Sequence, residues 1–180
     1  QQENIQGKKI DTPVMGADLF PTLLELAGLE NPVQVVGKSL VPLLRDESFD
    51  ERPLFWHYPH YGNQGGDPSA IIRKGDWKLI KYFEDGTNEL YNLKEDIGEK
   101  TDVFNQYPEI AMDLKNTLEE WLVSTNAKIP EVDPIHNEEE EREWLINHKI
   151  KVKAMLEKRR MDELKPNYEP NEDWWGSTFD

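Results

Sequence analysis

The nine residues from Trp56 to Gln64 hold two imidazoles, three aromatic rings and two carboxamides: Trp56, His57, Tyr58, His60, Tyr61, Asn63 and Gln64. They fall where an apolar run gives way to a segment containing Gly62, Gly65 and Gly66. Ring faces stack against flat, partly apolar ligands. Imidazoles and amides offer donors and acceptors side by side. Together they suit a polar, sugar-like ligand held on a loop, and loops on a rigid scaffold are where binding groups collect. The same residues also allow a plainer reading, with Trp56 and Tyr58 in the core and the histidines capping loop carbonyls. Arg73, Lys74, Lys78 and Lys81 could oppose an anionic ligand, but each reads better as an exposed strand residue.

Other chemistry is missing from the sequence. It has no cysteine, hence no disulfide, no thiolate metal site and no cysteine nucleophile. No Gly-rich phosphate loop or His-Glu-x-x-His pair occurs, and Gly65-Gly66 alone is neither. Asp85-Gly86-Thr87-Asn88-Glu89 is too short for a calcium loop and reads as a turn. The Glu138 to Glu141 run reads as a solvated helix start. No catalytic residue and no metal ligand is therefore assigned.

The elements that must position the candidate loop follow from periodicity. Pro53 to Tyr58 reads as a strand. Ala70 to Arg73 and Trp77 to Tyr82 flank Lys74-Gly75-Asp76, a hairpin connection, and Asp85-Gly86 turns the chain toward Glu89 to Leu93. In the Trp77 strand, Trp77, Leu79 and Lys81 face one way and Lys78, Ile80 and Tyr82 the other. Pro108 opens a helix whose stripe is Ile110, Leu114, Thr117, Leu118, Trp121 and Leu122, and this helix is expected to cover the sheet. Upstream, Leu19, Phe20, Leu23, Leu24 and Ala27 share one face of a helix starting near Asp18, an expected N-cap, and stopping at Gly28. A short helical piece spans Leu40 to Arg45. From about Pro130 the composition changes. Residues 131–180 carry 14 acids and 8 bases, acids first, which suits one long solvated helix with a thin stripe of Leu145, His148, Val152, Met155 and Leu156, followed by a tail holding Trp174 and Trp175.

Across 180 residues, 36 acidic side chains against 21 basic ones give a net charge of −15, which excludes binding to a nucleic-acid backbone by bulk charge. Leu, Ile, Val and Phe number 44, about 24% of the chain, above the roughly 20% below which a highly charged chain stays disordered. No apolar run approaches the roughly 18 residues of a membrane span, and no secretory signal opens the chain. Because it begins with Gln1, the chain reads as a processed product or a piece of something longer.

In order along the chain come Asp11-Thr12-Pro13-Val14, Asp18 to Gly28, Gly37-Lys38-Ser39-Leu40-Val41-Pro42-Leu43-Leu44, Arg52 to Pro59, Ala70 to Ile80, and Glu89 to Leu93. This succession resembles the end of type I sulfatases over roughly residues 11–125. The His57 to Gly66 stretch looks most like bacterial sulfatases of sulfated polysaccharides. The resemblance implies an α+β fold: a small antiparallel sheet of three or four strands covered by a helix, a preceding helix from an alkaline-phosphatase-like α/β domain, and a long C-terminal helix. The implied domains are residues 1–50 as the tail of that large domain, 51–130 as the C-terminal subdomain, and 131–180 as a charged extension without a matching counterpart. Val36 stands where an Asp commonly precedes the Gly37-Lys38-Ser39-Leu40 element.

In the family, a formylglycine made within a Cys/Ser-x-Pro-x-Arg motif is the nucleophile in its hydrated form, and a calcium ion held by Asp and Asn stabilises charge on the transferring sulfuryl group. None of Ser39, Ser48, Ser69, Ser124 or Ser177 stands in that motif. Calcium and formylglycine are therefore expected in a separate catalytic domain, carried on the same or another chain. The resemblance further implies that His57, His60, Asn63 and Gln64 face the active-site cleft and bind a sulfated glycan, in a periplasmic or secreted enzyme. The alternative is a stand-alone carbohydrate-binding or protein-interaction module. Exposure of the apolar face of the Leu19 to Leu29 helix would favour the first reading, since in the family that face packs on the large domain.

Overall fold

The computed structural model describes residues 7–30, 32–62, 66–131, 134–135 and 137–169. Asn63, Gln64, Trp174, Trp175 and the side chains of Leu145 and His148 lie outside the described residues. Two compact units are present, Gln1–Pro59 with Ser69–Lys128, and His60–Pro68 with Ile129–Asp180.

The first unit is built on a four-stranded antiparallel sheet in the order β1-β2-β3-β4, with β1 Leu54–Tyr58, β2 Ser69–Lys74, β3 Trp77–Tyr82 and β4 Asn88–Asn92. Turn chemistry sets its register. Gly75 at φ +59 opens the two-residue link from β2 to β3, a backbone state that glycine adopts without steric cost. Before β4, the Asp85 carboxylate accepts the Thr87 amide at 2.9 Å and the Thr87 hydroxyl at 2.7 Å, and Gly86 sits at φ +71.

The expected alternation holds. Ala70, Ile72, Leu79 and Leu90 lie on one face and bury against Ala111, Leu114, Leu118 and Leu122 of α3, Pro108–Ser124. Ile110 and Trp121 flank that core. Thr117 sits at its margin, where its hydroxyl donates to the Asp113 carbonyl at 2.8 Å. Ala111 was absent from the expected stripe but is buried in it. Ion pairs from the strands to α3, Lys74–Asp113 at 2.8 Å and Lys81–Glu119 at 2.6 Å, fasten its edges. Pairs this exposed are worth at most about 1 kcal/mol. Each buried Leu or Ile contributes about 1.5–3 kcal/mol, so the core and not the charges decides the packing.

The opposite face of the sheet carries Ile80, Tyr91 and Leu93, with Ile71 and Tyr82 against them. Both tyrosine hydroxyls donate to Glu89 Oε2 at 3.0 Å. Burial and the Glu89 carboxylate push the Tyr91 pKa up, so the phenol stays a donor.

Upstream of the sheet, a 3-10 turn, Gly16–Asp18, leads into α1, Leu19–Leu26, and α2 follows at Val41–Leu44. Pro21 falls in the first turn of α1, where its missing N–H removes no helical bond. The helix ends in a Schellman motif: the Leu29 amide bonds the Leu24 carbonyl, the Gly28 amide bonds the Glu25 carbonyl, and Gly28 has φ +69.

Asp18 departs from the role the sequence suggested. Its backbone is already helical, with φ −75 and ψ −19, so the carboxylate turns away from α1 and caps no amide of that helix. Instead Asp18 is fully buried and ties three segments together. It accepts the Met15 amide at 2.9 Å and the Lys38 amide at 2.9 Å, and it pairs with the Arg52 guanidinium, two residues before β1. Beside it, the Thr22 hydroxyl donates to the Asp18 carbonyl at 2.5 Å and accepts the Leu40 amide at 2.9 Å. Gly37 lets the backbone come this close, since a Cβ there would sit 1.9 Å from the Ala17 carbonyl oxygen.

In the second unit, α4 Glu138–Leu145, a π-helical stretch Ile146–Val152 and α5 Lys153–Glu163 follow one another without a break. One helix was expected, and its winding changes where Ile146, Ile150 and Val152 cluster, β-branched residues that crowd the preceding helical turn. Asn137 caps α4, accepting the Glu139 amide at 3.0 Å, and donates to Glu140 at 3.0 Å. No residue of α5 is buried, and pairs such as Arg159–Glu163 and Arg160–Glu157, both at 2.6 Å, lie on its surface. Among the described residues no helix is long and apolar enough to cross a membrane.

Candidate functional site

Strand β1 is an edge strand that ends in the candidate loop. Its alternate residues face opposite ways. Phe55 stacks flat on Trp121 of α3, with centroids 4.7 Å apart and planes 3° apart. His57 lies two residues on, half-buried, its ring edge-on to Phe83 at 5.6 Å. This packing fixes the imidazole on a rigid element, which a binding group requires. Trp56 and Tyr58 face the other way and are 41% and 52% exposed. They are therefore not core residues.

Of the four predicted residues, His57 belongs to the sheet unit, whereas His60 belongs to the second unit and is exposed. Beyond His60 the chain pinches. The Gly62 amide donates to the Gly66 carbonyl at 2.7 Å, and a Cβ on Gly62 would stand 3.1 Å from the Gly66 nitrogen. Glycine at 62 allows this neck, and the pair Gly62 and Gly66 was its signal in the sequence. Tyr61, 53% exposed, meets Trp144 of α4 edge-to-face at 5.8 Å. Nothing in the sequence pointed to that partner.

The basic residues are largely committed elsewhere. Lys74, Lys78 and Lys81 pair with Asp113, Glu99 and Glu119 at 2.8, 2.6 and 2.6 Å. The hydrogen bond from Lys81 holds the Glu119 carboxyl below its ordinary pKa. Arg73 donates through Nε to the Gly75 carbonyl at 3.3 Å. A groove of about 350 Å³ between Lys74, Trp77 and α3 lies at the hairpin end of the sheet, whereas the candidate loop leaves from the other end. Among the described residues no group of three or more His, Asp or Glu side chains is placed to hold a metal ion. With no Cys/Ser-x-Pro-x-Arg segment in the sequence, the residues present fit neither calcium nor formylglycine.

Comparison with known proteins bears on the family and the fold. The family model for N-sulphoglucosamine sulphohydrolase, C-terminal, matches residues 2–124. A sulfatase of Formosa agariphila is 38% identical over 127 residues, covering 61% of this chain and 23% of the relative. The N-acetylglucosamine-6-O-sulfatase of Bacteroides thetaiotaomicron is 32% identical over 134 residues, covering 69% of this chain and 23% of the relative. Among solved structures, a 2-O GAG sulfatase superposes with a TM-score of 0.56 at 26% identity, over 65% of this chain and 27% of that one. The chain thus spans about a quarter of the length of the relatives it matches. The sheet with its covering helix, the ordered motifs and the match over residues 2–124 agree: the chain belongs to the N-sulphoglucosamine sulphohydrolase C-terminal family, the C-terminal part of the sulfatases.

Proposed function

We propose that this chain is the substrate-selecting C-terminal portion of an enzyme that hydrolyses sulfate esters of a polysaccharide or glycosaminoglycan. The observation that carries the reading is the apolar face of α1. Leu19, Phe20, Leu23 and Leu26 are each between 49% and 65% exposed, and contiguous apolar surface of this kind marks a missing partner. A sulfatase catalytic domain, on the same or a separate chain, is the partner that fits a member of this family. In this reading residues 1–50 complete that domain, residues 51–130 form the subdomain beside its cleft, and residues 131–180 are an addition. Calcium and formylglycine belong to the catalytic domain, which supplies nucleophile and Lewis acid when present. The chain by itself is inactive. Its own contribution is binding. His57, held by Phe83, and His60, with Asn63 and Gln64 from the sequence, offer donors and acceptors to sugar hydroxyls and sulfate, and the exposed ring of Trp56 offers a stacking face. Its relatives, an N-acetylglucosamine-6-O-sulfatase and a 2-O GAG sulfatase, support a sulfated glycan as the substrate class.

Native mass spectrometry of the natural protein, followed by a denaturing mass, tests the partner. A Cys/Ser-x-Pro-x-Arg segment is expected in the same or a bound polypeptide, and the 180-residue chain found alone and folded would end the enzyme reading. In the active protein, His60→Ala is expected to lower kcat/KM on a sulfated glycan about tenfold, the loss of one charge-assisted hydrogen bond. Turnover of a small aryl sulfate is expected to stay within about twofold. Equal losses on both substrates would remove His60 from recognition.

A further inference from the structure

The connection from β1 to β2 runs from Pro59 to Pro68, longer than the two to five residues usual for a hairpin. A connection of that length needs outside support to keep one shape. Within its own unit the His60–Pro68 segment stands with residues of the C-terminal extension. The contact is specific: the Tyr61 ring meets the Trp144 indole edge-to-face, centroids 5.8 Å apart and planes at 69°. Trp144 is half-buried on α4, a helix started by the Asn137 cap and by acidic residues that suit the positive end of the helix dipole. A ring on a capped helix is a firmer support than another loop. The extension lies beyond residue 124, the last residue that the family model matches.

We infer that Trp144 is a positioning residue for the recognition loop, and that the C-terminal extension thereby tunes which glycan the enzyme accepts. This rests on the recognition role proposed above. The indole fixes the ring of Tyr61, Tyr61 fixes the backbone of its neighbour His60, and the Gly62–Gly66 bond closes the segment behind them. Trp144 need not touch the substrate. Its effect travels through one ring contact and one peptide unit, so it should alter binding of a large ligand and leave bond cleavage alone.

Two measurements test this separately. The first is amide hydrogen exchange on the natural protein, catalytic domain included, with Trp144→Ala and Trp144→Phe. Trp144→Ala should speed exchange at residues 60–62 and 66–67 by about three- to tenfold, as loss of one aromatic pair implies. Residues 70–92 should be unchanged, and Trp144→Phe should restore most of the protection. Unchanged exchange in the loop, or equal acceleration across the sheet, overturns the positioning role whatever the enzyme does. The second is kinetics in the enzyme containing its catalytic domain. Trp144→Ala should raise KM for the sulfated glycan about three- to tenfold, with kcat and aryl sulfate turnover little changed. Faster loop exchange with an unchanged glycan KM would overturn the tuning role. If His60→Ala also left that KM unchanged, the recognition reading itself would fall.

Discussion

Replacing Asp18 with Ala should destabilise the chain by about 3–5 kcal/mol, the cost of breaking a buried ion pair from one side. Asp18 is fully buried and pairs with Arg52, whose side chain is 16% exposed. The substitution strands that guanidinium and leaves the Met15 and Lys38 amides without their acceptor. Burial acts to raise the Asp18 pKa, but the two amides and the Arg52 cation outweigh it, and the carboxyl sits below its ordinary 3.8. The sign of the pH dependence follows. The stabilisation is complete above the ordinary value of 3.8 and is lost as the pH falls through the lower folded-state value. Acid titration of the wild type should therefore show a stability loss below 3.8 that is shallower in Asp18→Ala. A double-mutant cycle with Arg52→Ala, read by urea denaturation, measures the pair directly. Coupling below about 0.5 kcal/mol would mean that the pair is not a structural clasp.

Gly37→Ala should cost about 3 kcal/mol or more, at the top of the range for overpacking. The added Cβ would lie 1.9 Å from the Ala17 oxygen, 2.5 Å from the Ala17 carbon and 2.9 Å from the Asp18 nitrogen. All three are backbone atoms, so no side chain can rotate away. The 15–18 and 37–38 segments would have to separate, and the bond from the Lys38 amide to Asp18 is the first that would break. Gly37→Ala and Asp18→Ala should then be strongly non-additive, because either one opens the same knot. Thermal denaturation of both single variants and the double variant checks this. A loss under about 1 kcal/mol for Gly37→Ala would show that the two segments are not held as closely as the structure has them.

Both substitutions lie away from the candidate loop, yet the knot bears on it. Arg52 is two residues before β1, and β1 carries His57 and delivers the chain to His60. A loosened knot weakens the entry to that edge strand, which is otherwise held by its ladder to β2, by buried Leu54 and by the Phe55 stack on Trp121. Loss of activity in Asp18 or Gly37 variants should accordingly follow loss of stability. The His60 and Trp144 variants should instead change substrate preference with the sheet intact.

Several elements were legible in the sequence because their information is local. The strands Trp77–Tyr82 and Leu54–Tyr58 follow from alternation, and α3 from a 3.6-residue apolar period opened by Pro108. The link at Gly75 and the helix stop at Gly28 follow from the one residue type that takes φ of +59 and +69 freely. The covering of the sheet by α3 follows from an apolar face that needs a cover. Motif order likewise carried the family assignment, since each motif is contiguous.

What the sequence hid is what depends on distant partners. Asp18 has the composition of a helix cap, and only the approach of Lys38 and Arg52, 20 and 34 residues away, makes it a buried hub. Trp56 and Tyr58 have the composition of core residues, but β1 is an edge strand and turns them outward. Three lysines that read as exposed strand residues found carboxylates on α3 and at Glu99. Trp144 reads as one more residue of a charged helix until the loop 83 residues earlier lays Tyr61 against it. Propensity and period act over a few residues, so the sequence by itself determined the strands, the helices, the turns and the family. Long-range contacts are chosen by packing, so only the tertiary structure decided which polar groups are buried, which rings are exposed and which ring Tyr61 meets.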